Sequence, residues 1–324
     1  MGAAVMFVGP KSVGVLHGRH DATELTITIH GHRDIRREKT AGTHTGPCPV
    51  GGHCRRHWVH DSGISLRDSL PAGYIPTAVA TGDFNGDGKL DFVVANGGDN
   101  NLWLYLGKGE GTFSLPIIIP VELGLSPVWI ATGDLHGIGR SDLVVAEPDS
   151  NSVGIFLSNG DGTFIESSVA LPDSATFLLV GDFNRDGKVD IVAPMDDGNS
   201  NVYIAMLPGL GNGTFGSPVL TPLAGYVPWI SWASSADLNG DGFRDLLLVS
   251  NGSIQEIAVQ VFLNKGDGSF TAGQVVAQDF GPDVFLTSLL FDADGDGLPD
   301  AVSLLNLQCK RKRALVVEPY AKGS

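Results

Sequence analysis

Cysteine is scarce in this chain, with Cys48, Cys54 and Cys309 the only three in 324 residues. That number and spacing exclude a disulfide-stapled scaffold. Long hydrophobic runs are missing as well. No stretch approaches the roughly 20 apolar residues that span a bilayer, so no membrane insertion is expected. The start of the chain, Met1 to Val8, has no basic flank and is cut short by Pro10 and Lys11, which makes it a poor secretory signal. Met6 stands where a myristoylation motif requires Ser or Thr. Charged residues are only 18 % of the chain and the net charge is −15. That balance excludes nucleic acid as a partner, because phosphate binding needs clustered Lys and Arg. Histidine nearly vanishes after residue 60, where His136 is the only one of nine. There is no Gly-x-Ser-x-Gly elbow, no phosphate loop and no His-Glu-x-x-His helix.

What the chain has in quantity is glycine, 44 residues, beside 18 prolines and an apolar fraction of 42 %. This is the composition of a turn-rich all-β protein rather than a disordered one. The charge is unevenly spread. Residues 1–60 carry eight Lys/Arg against four Asp/Glu, and the remainder carries 13 against 32. We therefore divide the chain into a basic, His-rich extension over 1–61 and a repeat domain over 62–324. The extension is expected to be poorly ordered and irregular, with Thr26–Ile29 its one strand-like run.

The repeat is the nine-residue string Asp83-Phe-Asn-Gly-Asp-Gly-Lys-Leu-Asp91. Copies begin at Asp134, Asp182, Asp237 and Asp292, in steps of 51, 48, 55 and 55 residues. A period near 50 residues is the signature of a repeat architecture. Short apolar segments flank every copy, such as Ala78–Thr81 before the first and Phe92–Ala95 after it. They are too short for helices and rich in β-branched residues, so they read as strands buried on both faces. A third strand follows in four units: Leu102–Leu106, Val153–Leu157, Val202–Leu207 and Ala258–Leu263. Each leads to a Gly-x-Gly-x-Phe turn ending at Phe113, Phe164, Phe215 or Phe270, whose ring is expected to plug the core. A fourth, less regular strand completes the unit.

Four antiparallel strands per ~50 residues make a β-propeller blade. We expect about five four-stranded blades. The fifth unit stops after its third strand, and Ile64–Ile75 lies at the phase of a missing fourth strand. Closure of the ring then requires Leu66–Gly73 to pair with Leu315–Val317. The alternative is a piece of a larger propeller.

Oxygen-bearing side chains at loop positions 1, 3, 5 and 9, with Gly at 6 for the sharp turn, suit calcium, which takes six to eight hard oxygen ligands. The metal ligands are then Asp83, Asn85, Asp87 and Asp91 in the first loop, and Asp182, Asn184, Asp186 and Asp190 in the third. The fourth supplies Asp237, Asn239, Asp241 and Asp245, and the fifth Asp292, Asp294, Asp296 and Asp300. The all-carboxylate fifth loop is expected to bind most tightly. This makes about four Ca²⁺ sites. In the second loop, His136-Gly-Ile138-Gly139 stands where the first, third and fourth have the Asn-x-Asp-Gly core, and Ile cannot coordinate calcium. That loop is expected to be empty. The competing reading of all these loops is an acidic turn held by Asx hydrogen bonds without metal.

Gly82 through Asn96, followed by Leu106 through Phe113, resembles the FG-GAP/VCBS repeats of the integrin-alpha-like β-propeller superfamily, bacterial branch. The resemblance covers residues 64–324. It implies calcium held between the first two strands of each blade, and an extracellular or cell-surface protein that binds a protein or glycan partner, as in adhesion. No catalytic residue is assigned. The leading function is a non-catalytic, calcium-stabilised binding module. The alternative is a calcium-dependent carbohydrate-active enzyme, a polysaccharide lyase or hydrolase on a propeller. Trp103, Trp129, Trp229 and Trp232 sit in strand-like runs and read as packing residues rather than sugar platforms. Cys48, His53, Cys54 and His57 fit no zinc pattern. Lys310–Arg313 reads as a solvated hairpin tip.

Overall fold

The computed structural model describes residues 70–318 except 110, 122–125, 197–201, 224–229, 252–255, 281–283, 292–298 and 308–311, and three N-terminal strands. Those strands, β1 (Ala4–Gly9), β2 (Ser12–His17) and β3 (Thr26–Gly31), form one antiparallel sheet in order β1-β2-β3. They lie within the segment 1–61, where the sequence pattern marks Thr26–Ile29 as strand-like.

The first blade contains β4 (Pro76–Gly82), β5 (Asp91–Asn96), β6 (Asn101–Tyr105) and β9 (Ile117–Pro120). A short ribbon of β7 (Gly107–Gly109) and β8 (Thr112–Phe113) interrupts it at the glycine turn. The second blade contains β10 (Trp129–Gly133), β11 (Asp142–Glu147), β12 (Ser152–Ser158) and β13 (Phe164–Ala170). The third contains β14 (Leu179–Gly181), β15 (Asp190–Asp196), β16 (Val202–Leu207) and β17 (Val219–Pro222). The fourth contains β18 (Ile230–Ala236), β19 (Asp245–Asn251), β20 (Glu256–Asn264) and β21 (Phe270–Phe280). A fifth sheet holds β22 (Val284–Phe291), β23 (Asp300–Leu307) and β24 (Lys312–Glu318). Every sheet is an antiparallel meander in sequence order. This is an all-β propeller arrangement of four complete blades and a three-stranded fifth sheet.

The apolar pattern explains the stacking. Each residue of β5 and β11 is buried, as expected for strands covered on both faces. Outer strands alternate instead: β9 is half-buried at Ile117 and Ile119 and exposed at Ile118 and Pro120. Neighbouring blades then share cores. Phe84, Val93 and Leu102 pack with Leu143, Val145 and Phe156 between blades one and two. Phe183, Val192 and Ile204 pack with Leu246, Leu248 and Phe262 between blades three and four. Each such side chain contributes about 1.5–3 kcal/mol on burial, so the interfaces are a main source of stability.

Three aromatics mark the centre. Trp129, Phe177 and Trp232 each lie four residues before the last residue of a first strand, in three consecutive blades. The Trp129 ring lies 4.9 Å from that of Phe177 and 5.7 Å from that of Trp232, although a whole blade separates the two tryptophans in sequence. Inner strands line the propeller axis, so these rings converge toward it. Trp129 Nε1 donates to the Leu178 carbonyl at 3.1 Å. These tryptophans therefore pack between blades, as does the half-buried Trp103 within the first blade's core. Trp229 lies outside the described residues.

The turn phenylalanines plug the core as expected. Phe113 meets Phe92 edge-on at 4.8 Å, and Phe270 meets Phe183 at 6.4 Å. The proposed ring closure is different. Leu66–Ser69 lie outside the described residues, and Leu70–Gly73 form no strand. This end is tied to the first blade: Gly73 N donates to Asn96 Oδ1, and the Tyr105 hydroxyl donates to the Pro71 carbonyl.

Candidate functional site

The Asp-rich loops occupy one place in every sheet. The first strand ends at the residue before position 1, and the second begins at position 9. Register pairs Gly82 with Asp91, Gly133 with Asp142, Gly181 with Asp190, Ala236 with Asp245, and Phe291 with Asp300. The described loops are thus long hairpin tips between the first two strands of their blades.

Inside the loop, backbone N–H groups organise the acidic side chains. In the first loop Asp83 Oδ1 accepts from Gly86 N and Asp87 N, and Asp83 Oδ2 from Gly88 N at 2.8 Å. Asn85 Oδ1 accepts from Asp87 N at 3.0 Å, and Asp87 Oδ1 from Lys89 N at 2.9 Å. The third loop repeats this with Asp182 and Gly187 N, Asn184 and Asp186 N, and Asp186 and Lys188 N. The fourth repeats it with Asp237 and Gly242 N, Asn239 and Asp241 N, and Asp241 and Phe243 N. The position-6 glycines Gly88, Gly187 and Gly242 have φ of 77°, 81° and 89°, where a side chain would be strained. Asp83 Oδ1 accepts two N–H groups, but the other oxygens of this ladder accept one each and so keep a lone pair.

Position 9 behaves differently. Asp91, Asp142, Asp190 and Asp245 are all fully buried. One oxygen accepts from the N–H at position 2: Phe84, Leu135, Phe183 or Leu238, at 2.8 to 3.0 Å. The other accepts from a residue at or just beyond the end of the third strand: Gly107, Ser158, Gly209 or Asn264, at 2.7 to 2.9 Å. This carboxylate therefore pins its loop to the third strand. Burial raises the Asp91 and Asp190 carboxyls above their ordinary value and pushes Asp245 up to about 6. Exposed Asp87 shifts the other way, chiefly through its hydrogen bond from Lys89.

Adjacent loops are also locked together. Ser158 Oγ donates to the Phe84 carbonyl of the preceding loop, Gly213 N to the Leu135 carbonyl, and Asn264 Nδ2 to the Phe183 carbonyl. Ser141 exchanges two bonds with Asp83. Arg185 reaches from the third loop to the fourth, with its guanidinium 4.8 Å above the Phe243 ring. Reading the sequence missed Ser158 and Asn264, which join their own position-9 carboxylate to the preceding loop. The available signal was their constant place two residues before the first glycine of the turn, Gly160 or Gly266.

The structure thus brings together Asp83, Asn85, Asp87 and Asp91, Asp182 through Asp190, and Asp237 through Asp245, each set within one loop. Asp300 opens β23, while Asp292, Asp294 and Asp296 lie outside the described residues. The donor chemistry fits calcium. In the third loop Asp182 Oδ1 is buried and has no hydrogen-bond partner, whereas the equivalent oxygen accepts from the position-4 N–H, of Gly86 or Gly240, in the first and fourth loops. A buried, unpaired carboxylate oxygen is costly unless a cation meets it. The second loop keeps the Asp134 bonds to Ile138 N and Gly139 N. It adds an imidazole, with His136 Nδ1 2.6 Å from Asp142 Oδ2.

Four stretches of the chain, residues 83–137, 134–193, 182–248 and 237–303, match the model of the FG-GAP-like repeat. The chain belongs to this family. The FG-GAP-like stretches each run from one Asp-rich loop into the next, so the repeat unit is offset from the blade by one strand: it takes strands two to four of one blade and the first strand of the next. Among curated proteins, Cartilage acidic protein 1 of Xenopus tropicalis is 29 % identical over 160 residues, covering 44 % of this chain and 25 % of that protein. The chain therefore spans about a quarter of that relative's length. A crystal structure of a functionally unknown protein from Desulfotomaculum acetoxidans DSM 771 superposes with a TM-score of 0.54 at 13 % identity, over 85 % of this chain and 71 % of that one. That likeness shows the fold alone. The structure of BBS1N in complex with ARL6DN, soaked with lead, gives a TM-score of 0.47 at 11 % identity, over 99 % and 93 % of the chains. No helix among the described residues is long and apolar enough to cross a membrane.

Proposed function

We propose that this FG-GAP-like propeller is a non-catalytic protein-binding module whose loops bind calcium, and that the ions stiffen the joints between blades. The orphaned Asp182 Oδ1 carries the calcium reading. Asp83, Asn85, Asp87 and Asp91, with their equivalents in the third, fourth and fifth loops, would hold the ions. Calcium supplies positive charge that neutralises three or four crowded acidic side chains per loop. The chain's own residues do the rest. Backbone N–H groups aim the oxygens, position 9 fixes the loop to its blade, and Ser158 and Asn264 carry that order to the preceding loop.

The partner reading rests on surface chemistry. Tyr74 is the only exposed large aromatic among the described residues, at 60 % accessibility, while Trp129 and Trp232 are engaged in packing. Sugar recognition draws on exposed aromatic faces, so a protein partner is favoured over a glycan. The family resemblance supports an extracellular or cell-surface setting. Equilibrium dialysis against calcium tests the metal reading, with about four ions per chain expected. Uptake of no calcium at millimolar concentration would end it. Calcium-dependent capture of a defined protein ligand in a surface-display screen tests the partner reading, and calcium-dependent turnover of polysaccharide would contradict it.

A further inference from the structure

The second loop departs from its neighbours in a chemically directed way. Position 3 offers an imidazole instead of an amide oxygen, and position 5 offers Ile138 instead of a carboxylate. Calcium, which needs many hard oxygens, is disfavoured by both changes. Yet among the described residues, Asp134, His136 and Asp142 are the one set of three His, Cys, Asp or Glu side chains whose ligating atoms all lie within 4.8 Å of one another. The acidic residues of the first, third and fourth loops do not converge so closely.

We propose that this loop binds a zinc-type transition-metal dication through Asp134, His136 and Asp142. Three protein ligands of mixed nitrogen and oxygen type leave a fourth position open, the pattern of an accessible zinc site rather than a calcium cage. Imidazole selects this class of ion over calcium and magnesium. Two carboxylates and a neutral imidazole balance the charge of one dication. Both carboxylates are already oriented by backbone donors. Asp142 is fully buried and accepts from Leu135 N and Ser158 N, each at 2.8 Å. Asp134 accepts from Ile138 N at 2.9 Å and Gly139 N at 2.7 Å. Such outer hydrogen bonds fix ligand geometry in metal sites. His136 is only 19 % exposed and its Nδ1 is held against Asp142, so its approach to an ion needs little ordering. In the absence of metal, the same contact is a His-to-Asp hydrogen bond.

The N-terminal segment contributes eight further histidines and two cysteines, so the test is a difference between variants of this same 324-residue chain. Chelator-stripped protein is titrated calorimetrically with zinc in excess calcium, as wild type and as His136→Asn. Asn is the residue at this position in the first, third and fourth loops, so the variant should keep the fold, which circular dichroism checks. The expected result is one zinc site fewer in the variant, or one weakened at least tenfold. Asp134→Asn, which leaves the buried Asp142 contacts intact, should do the same. Equal zinc stoichiometry and affinity in all three folded proteins would overturn the proposal. So would one-for-one displacement of zinc from this loop by calcium.

Discussion

Replacing Asp245 with Asn separates the two jobs of a position-9 carboxylate. Both of its oxygens accept backbone N–H groups, from Leu238 at 3.0 Å and Asn264 at 2.9 Å. The Asn side chain can serve only one of them. Losing a hydrogen bond to a charged acceptor costs about 1.5–3 kcal/mol, and stranding the buried N–H about 1–3 more. Against this stands the burial of the charge itself. Burial lifts the carboxyl from its ordinary 3.8 to about 6 even with both bonds in place, so relief of the buried charge offsets part of that loss. In chelator the variant should therefore lose less than the sum of those two costs. In calcium at a hundred times the dissociation constant, wild type gains about 2.7 kcal/mol from each site, and the variant should lose that gain at this loop. The double difference cancels the hydrogen-bond contributions. Denaturant unfolding of both proteins, with and without calcium, measures it. A calcium-induced gain of equal size in both would refute a metal role for Asp245.

Other outcomes follow from the same contacts. The folded-state carboxyls of Asp91, Asp190 and Asp245 are raised above their unfolded values. Their contribution is present at pH below the unfolded value near 4 and is lost as pH rises, for Asp245 through about 6. Chelated protein should thus melt higher at pH 5 than at pH 7 in a calorimetric scan; the reverse order would contradict this. Arg185 has a left-handed φ of 62° and leans over the fourth loop. Arg185→Gly should change stability by less than about 1 kcal/mol, as relief of the backbone offsets the lost cation–π contact. It should also raise calcium affinity at the fourth loop by removing a nearby positive charge, a rise that calorimetric titration would detect. Trp129→Ala removes the ring that joins three blades and should cost about 3–5 kcal/mol in denaturant unfolding.

The blade was legible in the sequence because three independent signals share its period: the Asp-rich loop, the flanking apolar runs and the glycine turn. The second strands, read from the apolar runs at Phe92, Leu143, Ile191 and Leu246, begin one residue earlier, at Asp91, Asp142, Asp190 and Asp245. The role of position 9 was not legible in the sequence. A buried carboxylate that also pins two chain segments and an exposed one that does not are the same letter, and only the third strand's return beside the loop distinguishes them. The joints made by Ser158 and Asn264 were hidden for a similar reason, since they link residues 74 and 81 positions apart. The second loop was expected to be empty because its deviations were weighed against calcium alone. Its imidazole and two carboxylates meet only when folded.

The central claim is that calcium in the loops holds the blades together. It is tested most directly by thermal unfolding of the full chain in millimolar calcium and in chelator. Linkage predicts a clearly higher melting temperature with calcium, rising further with its concentration. An identical melting temperature in both conditions would contradict the claim and leave the loops as acidic turns held by their own backbone hydrogen bonds.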